Sequence, residues 1–498
     1  MRKPCHTFVA WFFFGGAGMQ AVVVGGGVVG SLLARELSRY RMKVILVEKS
    51  EDIGQGITKA NSAILHGGYD DPPGTLRARF CAAGNSMFKK LSEELKFSVK
   101  RIGSIVVAKN EGDLPKLKEL LENGVKNGVQ DLKIVGKSEL KKLEPHISDD
   151  FKFALFCGSA AVTEPWMVAI ASAMNFASNG GEVIINDEVV GGRIVERKVV
   201  EVCLHSGRRI KSDLVINAAG LFFEEVASRF GIDVPKVKLR KGEYILLDRK
   251  ASSLVRRIVF PLPTAEGKGR LVVPTVDGGV LLGPTSVELP GFTPEDLSTT
   301  AEGLVSVRDS GEYLIPGIDN PGWYIKSFAG LRPETDQKDF YIKRAEEIKN
   351  FITVGAIRSP GLTAAPAIAE YVVRNIVPEA DVNLVERDDF VPIIEERERI
   401  KDITFERVSQ LIKRHPEYGR IVCQCNEVSE AEIIQAVRDG ARTIDGVKFR
   451  TRAGFGRCQG GFCSWNIAKI IARELNKDLR DVRQNSEGSW VVDGKVRQ

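Results

Sequence analysis

The sequence predicts an α/β protein: a Rossmann-like dinucleotide-binding domain, an antiparallel β domain inserted into it, and a small helical C-terminal module. Three features predict this. Gln20–Val24 is an apolar run rich in β-branched residues, closed by Gly25-Gly26-Gly27-Val28-Val29-Gly30 and followed by an amphipathic helix to about Tyr40. Buried-strand patterns return at Leu214–Asn217 and Phe351–Val354, after long β-rich intervals, so the first domain is discontinuous. Two close cysteine pairs, Cys423 with Cys425 and Cys458 with Cys463, lie near the end of the chain.

In chain order, Arg2 and Lys3 followed by Phe8 to Phe14 mimic a short signal peptide, yet the stretch runs into the glycine motif without a polar break. Seven glycines between Phe8 and Gly30 argue against a membrane span, and no integral membrane segment is expected. We expect Met19 to be the true start, with residues 1–18 a non-native extension. Lys43–Val47 is a second strand that ends on Glu48, completing a βαβ unit. Nucleotide-domain elements are placed at about 20–90, 155–235 and 350–375, within a first unit of 19–375, and the inserted domain at about 95–155 and 237–345. Leu114 to Asn127 reads as a helix with a solvated charged face, Trp166 to Ser178 as a helix, and Gly361 opens an apolar helix to about Arg374. A charged linker helix is expected over 378–418, a compact module over 419–476, and a polar tail over 477–498.

Of 498 residues, 43% are hydrophobic and 27% charged, which excludes a fibrous or disordered chain. The net charge of +6 is mild, and +4 of it falls after Gly419, together with four of the eight cysteines. Eight cysteines in a chain this long do not form the disulfide lattice of a small secreted domain, so a reducing, cytoplasmic setting is expected.

The glycine turn has a physical logic. Gly25 permits the tight turn, Gly27 lets the backbone approach a pyrophosphate, and Gly30 lets helix pack closely on strand. The helix N-terminus supplies amide donors to the phosphates. Glu48, 18 residues past Gly30, can accept from ribose hydroxyls.

Five further motifs occur in order: Lys59 to Gly68 (KANSAILHGG), Asn217-Ala218-Ala219-Gly220, Lys241-Gly242-Glu243-Tyr244, Gly330-Leu331-Arg332-Pro333 and Ser359-Pro360-Gly361-Leu362-Thr363. Over residues 20–375 they resemble the D-amino-acid-oxidase-like FAD oxidoreductases, and within them the FAD-dependent glycerol-3-phosphate dehydrogenases and their L-2-hydroxyglutarate-oxidising relatives. The resemblance implies FAD as cofactor, Asn61 and Ser62 along the flavin, Val189 on the adenine side and Gly220 at the pyrophosphate. Gly361, Leu362 and Thr363 would present helix N-terminal amides to the flavin, where negative charge accumulates on reduction.

Oxidising an alcohol on a flavin needs a base for the hydroxyl proton. His66 is the candidate, its plain alternative being a buried histidine held by backbone groups. A small anionic substrate also needs fixed cations, and the resemblance points to Arg332 and Lys268, although Lys268 reads equally as an exposed loop lysine. Neither separates phosphate from carboxylate.

Four thiolates in two short pairs can make a zinc site or hold an iron–sulfur cluster, and C-x-C with C-x4-C is unusual for zinc. The text from Gly446 to Gly460 resembles the bacterioferritin-associated-ferredoxin (BFD)-like [2Fe-2S] domain, which implies Cys423, Cys425, Cys458 and Cys463 as ligands. Five basic residues and one acid between Arg442 and Arg457 are expected to raise the cluster's potential, and a nucleic-acid patch is disfavoured by the few aromatics there. The expected activity is oxidation of glycerol 3-phosphate to dihydroxyacetone phosphate. Electrons would pass through the cluster to a protein acceptor, such as a flavoprotein subunit or a membrane quinone-reducing component, through which the protein would meet the membrane. The rivals are a 2-hydroxy acid or amino acid dehydrogenase and a non-catalytic electron-relay subunit.

Overall fold

The structure is a computed structural model that describes residues 18–263 and 269–494. Residues 1–17, with most of the expected extension, and Lys268 lie outside the described residues.

The first sheet has six strands in the order Tyr341–Arg344, Phe351–Gly355, Leu214–Asn217, Gln20–Val24, Lys43–Val47, Glu182–Ile184. Its core strands run parallel, with Val24 opposite Asn217 on one side and Val47 on the other. All three ends therefore deliver their next residues to one edge, where Gly25, Glu48 and Ala218 meet. The apolar runs are explained by burial on both faces: Ala21, Val22 and Val23 are fully enclosed, as is usual for parallel strands. Tyr341–Arg344, grouped with the inserted domain on sequence, pairs antiparallel with Phe351–Gly355 and belongs to this sheet. A short turn joins the two strands, with Phe351 N–H bonding Ile348 O and Ala345 N–H bonding Phe351 O. The helices Val28–Leu37, Leu76–Leu95, Pro165–Ser178 and Gly361–Tyr371 cover one face.

The inserted domain is a nine-stranded sheet in which Lys238–Leu247 pairs along its length with Tyr324–Glu334. It is not wholly antiparallel. Ile258–Pro261 runs parallel to Ser104–Ala108, which stitches the two sequence-distant halves of the domain together.

The charged linker is mostly not helical. Residues 381–399 form an extended strap whose backbone pairs with Arg39, Arg41 and Glu94, while Asn175 and Asn179 bond Val391. Pro392 removes a donor, and Glu395, Glu396 and Glu398 would repel one another along a helix, so Phe405–Arg414 is the one α-helix among the described residues of the linker, beside three short 3-10 turns. The C-terminal module packs Glu430–Arg438, Ile444–Thr451 and Ser464–Leu475 around Ile433, Val447, Ile467 and Ile471. The polar tail folds back onto it, with Val482 inside that core.

Among the described residues no helix is long and apolar enough to cross a membrane.

Candidate active site and iron–sulfur centre

A continuous cavity of about 1390 Å³ runs from the glycine turn to the inserted sheet. Its volume exceeds the roughly 300–1,000 Å³ usual for one small ligand, as a dinucleotide with a substrate beside it requires. The three glycines divide the labour as expected. Gly25 has φ +104°, and a Cβ on Gly30 would fall 1.9 Å from the Gly25 carbonyl oxygen. A Cβ on Gly27 would meet nothing nearer than Thr58 Oγ1 at 3.3 Å, so its face is open to the cavity. Thr58, unmarked by any motif, accepts the Val28 N–H (3.0 Å) at the start of the first helix. Glu48 accepts Gly26 N–H on Oε2 (2.6 Å) and Ser50 N–H on Oε1 (2.7 Å), and each oxygen keeps a lone pair for a ribose hydroxyl. Val189, Gly220, Gly361 and Leu362 line the same cavity, Val189 accepting a bond from Arg229 through its carbonyl. This open glycine turn, acid and facing helix N-terminus fit the pyrophosphate, ribose and ring of FAD.

Asn61 lines the cavity and also ties its own loop. Its amide donates to Ile57 O (3.1 Å) and Thr58 O (2.9 Å), and Oδ1 accepts Ala63 N–H (2.7 Å), so it ties the loop that carries His66. Ser62 lines the cavity with its Oγ 3.2 Å from Tyr244 Oη. Thr363 is fully buried, and its hydroxyl accepts the His66 backbone N–H (2.9 Å) and donates to Ile64 O. The His66 carbonyl accepts from Asn85 (2.9 Å). The Thr363 and Asn85 side chains thus fix the main chain of His66, which lines the cavity with Nε2 3.5 Å from Ser359 Oγ and its ring 6.0 Å from that of Phe260.

The guanidiniums at the substrate end differ in their partners. Glu334 takes Arg358 (2.7 Å) and Arg240 (3.2 Å), and Asp71 takes Arg77 (2.6 Å). Arg332 donates to Thr285 O (2.7 Å), and Gly242 makes room for it, since a Cβ there would lie 2.6 Å from its Nη2. Among the described residues no carboxylate pairs with Arg332 or with Arg270, which also lines the cavity and whose buried Nε has no partner. Two guanidiniums with no carboxylate partner among the described residues suit an anion. Arg270 was not expected, because a lone arginine beside a glycine carries no motif.

In the C-terminal module the four cysteines converge as two pairs. Cys425 Sγ lies 3.9 Å from Cys458 Sγ, and Cys463 hydrogen-bonds Cys423. That bond, with the Gly454, Asn426 and Cys425 amides, pushes the Cys423 thiol down to about 6 and the donor Cys463 up. Among the described residues no three His, Cys, Asp or Glu side chains are arranged to hold a single metal ion. Two-and-two thiols suit a cluster with two irons, each taking two thiolates. Two of the five basic residues between Arg442 and Arg457 also bind across the domain boundary. Arg450 binds Asp52 through two nitrogens (2.5 and 2.8 Å), and Arg452 binds Glu164 and Asp277. They dock the module on both lobes.

The chain belongs to the DAO family of FAD dependent oxidoreductases, matched over residues 20–375, and carries a BFD-like [2Fe-2S] binding domain over residues 421–473. It is an FAD-dependent oxidoreductase with FAD and a [2Fe-2S] cluster as cofactors. It is similar to the glycerol 3-phosphate dehydrogenase of Caloramator mitchellensis, 37% identical over 481 residues, 96% of this chain and 99% of that one. The glycerol 3-phosphate oxidase of Mycoplasma pneumoniae is 31% identical over 366 residues, 71% of this chain and 94% of its own. Among solved structures, FAD-bound, dithionite-reduced L-alpha-glycerophosphate oxidase from M. pneumoniae superposes with a TM-score of 0.71 at 28% identity, covering 76% of this chain and 99% of that one. The L-proline dehydrogenase of P. horikoshii, at 24% identity and a TM-score of 0.66, shares the fold.

Proposed function

We propose that the protein oxidises glycerol 3-phosphate to dihydroxyacetone phosphate and passes the electrons through its [2Fe-2S] cluster to a protein or quinone-reducing acceptor in the cytoplasm or at the membrane face. The observation that carries this reading is that one cavity is lined by His66 and by two guanidiniums, Arg332 and Arg270, that have no carboxylate partner among the described residues. In this reading Arg332 and Arg270 hold the phosphate, and the secondary alcohol is turned to His66 in the same cavity. His66 Nε2 takes the hydroxyl proton, and the Ser359 hydroxyl beside it steadies the ring. FAD, when bound, supplies the hydride acceptor. The N-terminus of the Gly361 helix offers backbone N–H groups to negative charge at that end of the cavity.

The dehydrogenase relative's match over 96% of the chain takes in both matched domains, which supports a cluster-coupled dehydrogenase over an oxidase. Anaerobic addition of substrate tests the reading. Glycerol 3-phosphate should bleach the flavin, and L-2-hydroxyglutarate and L-proline should not. Bleaching by either of the latter alone would overturn the substrate assignment, and no bleaching by any would point to a relay subunit.

A further inference from the structure

We propose that Trp166 and Phe455 form the contact through which electrons leave the FAD-binding lobe for the iron–sulfur module, with Arg452 as the positioning residue that holds it closed. The inference rests on the reading that the cluster receives the flavin's electrons. It names the path.

Trp166 opens the helix Pro165–Ser178 and lies under the loop that walls the cavity: a Cβ on Gly54 would be 3.2 Å from the Trp166 carbonyl oxygen, and Gln55, Gly56 and Ile57 line the cavity. Gly54 N–H in turn bonds Gly26 O (2.9 Å) in the glycine turn. On its other side the indole meets the module. Its ring stacks on Phe455 (5.4 Å between centroids, 29° between planes) and packs on Phe449 (5.4 Å). Phe455 is bonded to Gly456, where a Cβ would lie 3.0 Å from Cys425 Sγ, so the backbone there touches a cluster ligand. The cavity-wall loop thus packs on the Trp166 backbone, the indole stacks on Phe455, and the next residue, Gly456, lies against Cys425, so the two rings sit between the cavity wall and a cysteine of the cluster site.

Arg452 closes this joint from behind. It is almost fully buried in a left-handed backbone conformation (φ +75°), with its guanidinium 4.9 Å from the Trp166 ring and 5.2 Å from that of Phe455. Its ion pairs reach Glu164, two residues before Trp166, and Asp277 in the inserted domain. Its carbonyl accepts Asn426 Nδ2 (2.8 Å), next to Cys425. One cation thus binds both lobes and the ligand loop, and a charge so buried is held only while all its partners stay in place. These ion pairs hold the module against both lobes and so keep Trp166 and Phe455 in register.

Each turnover removes two electrons and two protons from the alcohol, one proton to the base and a hydride to the flavin. The cluster takes one electron per passage. With no acceptor present, as in the test below, one electron of each pair reaches it and the other stays on the flavin. In steady turnover a one-electron acceptor such as ferricyanide must empty it before the second follows.

The holoenzyme is mixed anaerobically with glycerol 3-phosphate, following flavin bleaching by absorbance and the reduced cluster by freeze-quench EPR. Trp166→Leu and Phe455→Leu should each slow the EPR signal about tenfold, and the double variant hardly more than either alone. Trp166→Phe should stay near wild type. Flavin bleaching, the cluster's EPR line shape and its potential should be unchanged in all of them, which a general loss of structure would not allow. Arrival of the EPR signal at the wild-type rate in both leucine variants would overturn the path. A wild-type cluster that stays oxidised while the flavin bleaches would overturn the hand-off itself, and the path with it. Should Trp166→Leu fail to fold, Phe455→Leu against Trp166→Phe carries the same comparison.

Discussion

His66 illustrates how a side chain is readied by what holds its backbone. Thr363 and Asn85 fix the main chain, so ring position survives a change in the ring. His66→Gln should lower kcat about 10²–10⁴-fold, the usual contribution of a positioned base, with FAD content unchanged by absorbance. Arg332→Met removes a charged hydrogen bond worth about 1.5–3 kcal/mol and should lower kcat/KM roughly ten- to a hundredfold, read from steady-state kinetics. Away from the site, Glu144 is fully buried, and burial pushes its carboxyl from 4.5 up to about 6 despite two backbone donors, Arg256 and Arg257. The folded state therefore holds a proton that the unfolded state loses between pH 4.5 and 6, and stability falls by about 2 kcal/mol as pH rises through that window. Glu144→Gln should lack this step, so its stability relative to wild type should be about 2 kcal/mol better at pH 7 than at pH 4.5 in urea titrations. At this scale sequence reading was uneven. Glu48 was legible because it ends a strand at a set distance from a glycine turn. Thr58 and Arg270 were not, because a lone threonine or arginine acquires meaning only when the fold turns it toward the cavity.

Among elements, the glycine turn separates packing from binding. Gly30→Ala forces a methyl onto the Gly25 carbonyl at 1.9 Å, whereas Gly27→Ala finds space in the protein itself. Gly30→Ala should fail to fold or melt far below wild type. Gly27→Ala should melt normally without FAD and bind FAD at least tenfold more weakly by fluorescence titration, because its methyl occupies the pyrophosphate's approach. The βαβ unit and the strands at 214–217 and 351–355 were readable because parallel strands buried on both faces leave continuous apolar runs. The strand Tyr341–Arg344 carries no such run, and its membership is set by the strand it returns to. The strap at 381–399 read as a helix because dense charge is common to exposed helices and exposed straps, and its partners lie hundreds of residues earlier.

For the whole molecule, charge counting singled out a segment that also docks the module. Arg450, Arg452 and Arg483 meet Asp52, Glu164, Asp277 and Glu51, so the local positive excess is largely cancelled across the domain boundary. Arg450→Met strands Asp52 in a buried site and should cost about 3–5 kcal/mol of module docking, seen as early proteolytic release of the C-terminal module. Pairing it with Asp52→Leu should restore most of the resistance.

The sheet order also governs how this chain is made. Leu214–Asn217 sits between Gln20–Val24 and Phe351–Gly355, and the helix facing the glycine turn starts only at Gly361. At roughly 5–20 residues per second a ribosome needs tens of seconds between the first strand and the last of these. Through that interval the nascent chain holds a half-built sheet with an open edge. Cofactor capture must therefore wait until the pocket's far wall has emerged, and the iron–sulfur module, translated last, can dock only onto lobes already formed.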